Sequence, residues 1–227
     1  MLRSKFHPSR DYALAAAAAI TFAWLALTIS AGGPTALDIA GRATIHEWAN
    51  PALTDAMRFA TQLGGGWFLW PLGAVIVGAL YTAGRRRDAA LFALAVLGAN
   101  LLDEAMKLVF HRPRPVPWFE YPQPHSYSFP SGHSFVSFCF YLSLAEILIR
   151  DDWPAARRGA TWTAAALLTL VIGFSRAYLG VHYPTDVLAG FVAAIVWTTL
   201  IRIAHHTYWP VGDIEVARGG AQSEPRP

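Results

Sequence analysis

Three short runs hold residues whose types and spacing suit phosphoryl chemistry. They are Lys107-Leu-Val-Phe-His-Arg-Pro-Arg114-Pro115, then Pro130-Ser131-Gly132-His133, then Ser175-Arg176 followed by His182 and Asp186. A phosphate monoester dianion needs positive charge that stays fixed while further charge develops on the equatorial oxygens during transfer. Arg114 and Arg176 offer planar bidentate donors and Lys107 a point charge. Ser131 and Gly132 directly precede an apolar run, where the N–H groups of a new helix add donors and glycine lets a ligand come close to the backbone. His182 and Asp186 lie four residues apart, a spacing that places both on one helical face, and Pro184 suits the first turn of that helix. Asp186 can then fix the imidazole tautomer and steady its charged form, leaving the other ring nitrogen to attack phosphorus and form a phosphohistidine. His133, at the start of a different helix, is placed to protonate the leaving alkoxide and later to activate water.

Each of these residues also has a plainer reading. Lys107 can snorkel toward head groups or pair with Asp103 or Glu104 on its own helix. Arg112-Pro113 and Arg114-Pro115 can simply end a helix, and Pro130-Ser131 can be a capped helix entry. His111, His125, His205 and His206 read as interfacial or packed histidines. His133 and His182 stand apart from that reading because of the residues around them.

The elements that position these groups are membrane helices. Of 227 residues, 54% are hydrophobic and 15% charged, against roughly 25% charged in a soluble domain, and the mean hydropathy is +0.33. Such a chain needs lipid to bury its apolar surface. Stretches near the ~20 residues that cross a bilayer run from Tyr12 to Ala31, Gly66 to Ala83, Ala89 to Met106, Ser134 to Ile149, Gly159 to Phe174 and Val187 to Ile203. The expected fold is therefore all-α and polytopic, with about six spans. The first stretch is longer than a signal-peptide core and reads as a retained span. Arg3, Lys5 and Arg10, then Arg85 to Arg87, then Arg150, Arg157 and Arg158 all fall on one side when the spans alternate, which makes that side cytoplasmic. The three chemical groups then lie on the outer side. In the outer loop from Gly32 to Gly65, Leu53, Ala56, Met57, Ala60 and Leu63 recur at helical spacing, as in an interfacial helix with a packing or cover role.

No linker divides the chain, so residues 1–209 read as one membrane domain and 210–227 as a disordered cytoplasmic tail. The net charge of +3 is spread over short clusters rather than one stripe, which argues against nucleic acid as a partner. Cys139 has no partner for a disulfide or a zinc cluster, and packing is its expected role.

Taken in order, the three groups resemble the signature of the type 2 phosphatidic acid phosphatase, or lipid phosphate phosphatase, superfamily. The first part of that signature is a lysine, six residues and Arg-Pro, matched by Lys107 and Arg114-Pro115, whereas Arg112-Pro113 comes two residues too early. Pro130 to His133 match the second part; Ser175, Arg176, His182 and Asp186 match the third. The resemblance implies an all-α core with its site near the outer membrane surface. It assigns Lys107, Arg114, Ser131, Gly132 and Arg176 to phosphate binding, His133 to general acid, His182 to nucleophile and Asp186 to its orientation, with no metal or other cofactor. It implies a membrane lipid substrate such as phosphatidic acid, phosphatidylglycerol phosphate or undecaprenyl diphosphate, and the alanine-rich sequence points to a bacterial inner membrane with the site facing outward. Vanadium haloperoxidases share the signature but are typically soluble, against the six apolar stretches. A lipid-to-lipid phosphotransferase can use the same phosphohistidine. A transporter predicts charges mid-span on several helices, whereas here they cluster at one end.

Overall fold

The computed structural model describes residues 7–29 and 33–208. Among them are eight helices and no strand: α1 (Pro8–Ile29), α2 (Ala36–Glu47), α3 (Pro51–Gln62), α4 (Gly66–Thr82), α5 (Arg86–Phe110), α6 (Gly132–Leu148), α7 (Ala155–Tyr178) and α8 (Pro184–Tyr208). The expected tail from residue 210 lies outside the described residues.

Local signals explain where these helices start. Thr35 and Asp38 form a reciprocal capping box on α2, and Asn50 caps α3 with Pro51 in its first turn. Both short helices lie in the segment between α1 and α4. α1 is built largely from alanine and leucine, the best helix formers. Large side chains such as Ile20, Leu27, Val75 and Leu101 are exposed around the bundle, as expected of a surface that faces lipid. The protein is an integral membrane protein.

The count of six spans is not reached on length and composition. Four helices, α1, α5, α7 and α8, are long and apolar enough to cross a membrane, and α3 with α4 forms a pair bent by 43° that would make a fifth. α6 has 17 residues, a rise of about 26 Å, and falls short of the ~30 Å hydrocarbon core. Its environment supplies the reason. It packs against α5, α7 and α8 and buries Phe135, Cys139 and Phe140 completely or nearly so, so its neighbours, not its own length, decide where it sits. At Gly190 of α8 a side chain would collide with the Ser131 carbonyl 2.6 Å away, so glycine sets the close approach of α8 to the start of α6. α3 is bent by 43° from α4 and packs on α7 through Met57.

Candidate active site

α5 brings Lys107 to the site on its buried face, one turn beyond Asp103 and two beyond Ala99. The helix ends at His111 in the left-handed conformation, and the Arg112-Pro113-Arg114-Pro115 run that follows is non-helical, as prolines require of the residues before them. α6 starts at Gly132 with Ser131 as N-cap, and Ser131 makes no side-chain capping bond, so the first N–H groups of the helix are not taken by it. α7 ends at Tyr178, and Gly180, at φ +75°, turns the chain back so that the His182 N–H reaches the Arg176 carbonyl at 3.3 Å.

His182 does not lie on the helix with Asp186, as its spacing suggested. α8 begins at Pro184, and His182 sits in the turn before it. Asp186 occupies the third helical position and reaches back to accept the Tyr183 N–H at 2.9 Å, which is one half of a capping box. This brings Asp186 Oδ2 to 3.5 Å from His182 Nδ1, a nitrogen that makes no hydrogen bond among the described residues. The other ring nitrogen, Nε2, faces Arg114 Nη1 at 2.8 Å. A guanidinium only donates, so Nε2 carries the lone pair and Nδ1 the proton, directed at Asp186. Burial pushes the His182 pKa well below the ordinary histidine value, and the charges of Arg114, Arg176, His133 and Lys107 push it the same way. The imidazole is a neutral base.

Arg114 is anchored by Ser126, whose carbonyl accepts Nε at 2.6 Å and whose hydroxyl accepts Nη2 at 3.0 Å, and by the Val181 carbonyl at 2.9 Å. Burial, then the like charge of Arg176, bring its pKa down to about 10, so it is still fully charged near neutrality and poorly compensated. Arg176 is buried and donates to Thr61 on α3 at 2.6 Å and to the Tyr121 hydroxyl at 3.4 Å. Lys107 makes both of the pairings its helix offers, with Asp103 Oδ2 at 2.5 Å and Glu104 Oε1 at 3.0 Å. Its charge is thus shared with two carboxylates of its own helix. Asp103 Oδ1 is buried without a hydrogen bond among the described residues, and Asp103, Lys107, Gly132 and His133 line a cavity of about 130 Å³ with Gly64 and Trp70. A side chain at Gly132 would meet Asp103 Oδ2 at 2.4 Å, so this glycine makes room for a carboxylate of the protein itself.

Arg112, Asp38, Thr185 and Ser128 have no assigned role in the sequence reading. Arg112 is 1% exposed and bridges two buried carboxylates, with Nη1 2.5 Å from Asp186 Oδ1 and Nη2 2.6 Å from Asp38 Oδ2. Asp38 Oδ1 accepts the Thr185 N–H at 3.0 Å and its hydroxyl at 2.8 Å. Burial raises the Asp38 pKa, but hydrogen bonds from Thr35, Thr185 and Arg112 outweigh it and the net shift is downward. Ser128 donates to Asp186 Oδ2 at 2.5 Å. Arg112-Pro113 comes two residues too early for the signature, and no local pattern signals that the Arg112 side chain is buried. His111 makes an edge-on contact with Tyr127 and His125 is exposed, in keeping with their plainer readings.

A sequence profile described as the PAP2 superfamily matches residues 88–210. Phosphatidylglycerophosphatase B of Bacillus subtilis is 34% identical over 154 residues, covering 67% of this chain and 75% of the relative. Undecaprenyl-diphosphatase of Sulfolobus acidocaldarius is 25% identical over 168 residues, 72% of this chain and 75% of the relative. The crystal structure of a transmembrane PAP2-type phosphatidylglycerolphosphate phosphatase from Bacillus subtilis superposes with a TM-score of 0.75 at 28% identity, covering 87% of this chain and 98% of that one.

Proposed function

The chain belongs to the PAP2 superfamily and is a phosphoric ester hydrolase, and we propose that it cleaves a membrane lipid phosphate or diphosphate through a phosphohistidine on His182. The observation that carries this reading is the buried His182 ring, with its lone pair turned to Arg114 at 2.8 Å and its other nitrogen toward Asp186. In the first step Nε2 attacks phosphorus as the bond to the lipid oxygen breaks, and that oxygen takes a proton from His133. Arg114 passes from Nε2 to the phosphoryl oxygens, where its planar fork joins the charges of Arg176 and Lys107 and the N–H groups at Ser131 and Gly132. In the second step water attacks phosphorus, gives its proton to His133, and the Nε2–P bond breaks to release phosphate. Fixed cations supply the charge stabilisation, so the reaction runs without a divalent metal.

The substrate class follows from where the site sits. Lys107, His133 and the turn that holds His182 lie at the ends of α5, α6 and α7 away from Arg85–Arg87 and Arg150–Arg158, and because basic residues mark the cytoplasmic side the proposed site faces the lipid head groups on the outer side of a bacterial inner membrane. The test is phosphate release by the purified protein in detergent. Substrates are phosphatidic acid, phosphatidylglycerol phosphate and undecaprenyl diphosphate, with a soluble phosphate ester as control. Release from at least one lipid, retained in excess chelator and blocked by orthovanadate, supports the reading. Release from the soluble ester alone, or loss in chelator restored by magnesium, overturns it.

A further inference from the structure

The buried arginine behind Asp186 ties the site to the outer helix α2. Arg112 Nη1 reaches Asp186 Oδ1 at 2.5 Å and Thr185 Oγ1 at 2.8 Å, Nη2 reaches Asp38 Oδ2 at 2.6 Å, and the guanidinium lies 4.2 Å from the centre of the Tyr183 ring. Both carboxylates are fully buried. Asp38 in turn accepts from Thr35 through its N–H at 3.0 Å and its hydroxyl at 2.9 Å. Every carboxylate oxygen in this cluster has a donor, whereas Arg112 Nε is buried without a partner among the described residues.

We propose that Arg112 and Asp38 are positioning residues for the reaction, acting on His182 through Asp186, and that α2 is thereby part of the catalytic apparatus. The inference rests on the reading of His182 as nucleophile. Two carboxylates and one guanidinium carry a net charge of −1, and His182 Nδ1 stands 3.5 Å from the Asp186 oxygen that Arg112 leaves to it. When Nε2 bonds to phosphorus, the ring keeps its Nδ1 proton and becomes positively charged. The cluster then balances that charge, and when water displaces the histidine the ring returns to neutral. Arg112 has a second effect. It occupies Oδ1, so Ser128, the Tyr183 N–H and the histidine share Oδ2, and this fixes the plane of the carboxylate. Removal of Arg112 leaves two buried carboxylates facing each other, and one of them takes a proton. Removal of the Asp38 charge leaves the cluster neutral, with nothing to offset the phosphorylated ring. The groups that face Asp186 are Arg112, which also holds Asp38 of α2, Ser128, His182 and Tyr183 of the turn, and the charge of Arg114.

The experiment uses Arg112→Lys, Arg112→Gln and Asp38→Asn in the full chain, each measured for thermal midpoint in detergent, kcat and KM on the lipid phosphate turned over by wild type, and the pH profile of kcat. His182→Ala serves as reference. The expected result is a fall in kcat of ten- to a hundredfold in folded Arg112→Gln and Asp38→Asn, with KM within threefold. The acid limb of kcat should move to higher pH in Arg112→Gln, because Asp186 then takes up a proton more readily. Arg112→Lys, which keeps the charge but cannot bridge both carboxylates, should fold and recover part of kcat. It decides the matter if the glutamine variant does not fold. Folded variants with wild-type kcat and a superimposable pH profile overturn the inference, as does a loss that merely tracks the unfolded fraction. Turnover by His182→Ala sinks the parent reading instead, whatever the arginine variants do.

Discussion

Gly132→Ala tests how tightly the start of α6 is fitted to α5. An added Cβ would stand 2.4 Å from Asp103 Oδ2 and 3.0 Å from its Cγ, whereas ordinary contact begins at 3.4 Å, so the carboxylate must retreat by 3.4 − 2.4 = 1.0 Å. Asp103 cannot retreat alone, because the same oxygen holds Lys107 Nζ at 2.5 Å and both side chains are buried. Displacing a positioning group by about 1 Å costs on the order of 10²-fold in rate, or about 2.7 kcal/mol of barrier, and overpacking costs a further ~1–3 kcal/mol of stability. The assay is kcat/KM for lipid phosphate release in detergent, with thermal midpoints measured alongside and Gly78→Ala as control, since nothing lies within 4 Å of that position. Asp103→Ala removes the atoms that clash. Adding Gly132→Ala to it should therefore cost far less than adding it to wild type, a strongly non-additive cycle. Additive losses would show that Gly132 serves the substrate directly, and a Gly132→Ala enzyme within threefold of wild type would refute the packing argument altogether.

Other expectations follow from the same geometry. Arg114→Ala should lower kcat/KM by at least a hundredfold, and Arg114→Lys should recover little of it, because a lysine cannot serve Ser126, Val181 and His182 at once; near-wild-type turnover in the lysine variant would remove the bidentate role. The depressed His182 pKa has a thermodynamic consequence. Between that value and the unfolded ~6.5, the unfolded chain binds a proton that the folded chain does not, so stability is lost as pH falls below about 6.5. The drop in thermal midpoint from pH 7.5 to 5.5 should be smaller in His182→Gln, and identical drops would contradict a buried neutral imidazole. A single cysteine at Gln123 in a Cys139→Ser background should react with an impermeant thiol reagent on intact cells, whereas labelling only after lysis would invert the orientation.

The candidate site residues are more legible in the sequence than the architecture around them. Lys107, Arg114, His133, His182 and Asp186 are polar groups at fixed spacings beside apolar runs, and that contrast marks them without any structure. The wrong inference about the His182–Asp186 helix arose because i,i+4 spacing has two solutions here, a helical face or a turn closed by an N3 carboxylate, and Pro184 marks the start of the helix in either case. Arg112 and Asp38 stayed hidden because they meet across 74 residues, a distance in sequence that no local pattern reports. The sixth span is not confirmed at α6, whose 17 residues are packed among α5, α7 and α8 and fall short on length alone. Thr61 and Tyr121 escaped for a similar reason: each is an ordinary residue until α7 brings Arg176 against it.

The central claim is a covalent bond between His182 and phosphorus, and rapid quench with a lipid substrate radiolabelled in its phosphate measures it directly. Wild type should yield labelled protein within the first turnover, stable in alkali and lost in acid, with the label on the peptide containing His182. In His182→Ala, folded by its thermal midpoint, both the label and phosphate release should vanish. Steady turnover without labelled protein at any quench time, or more than a few per cent of wild-type activity in His182→Ala, would contradict it.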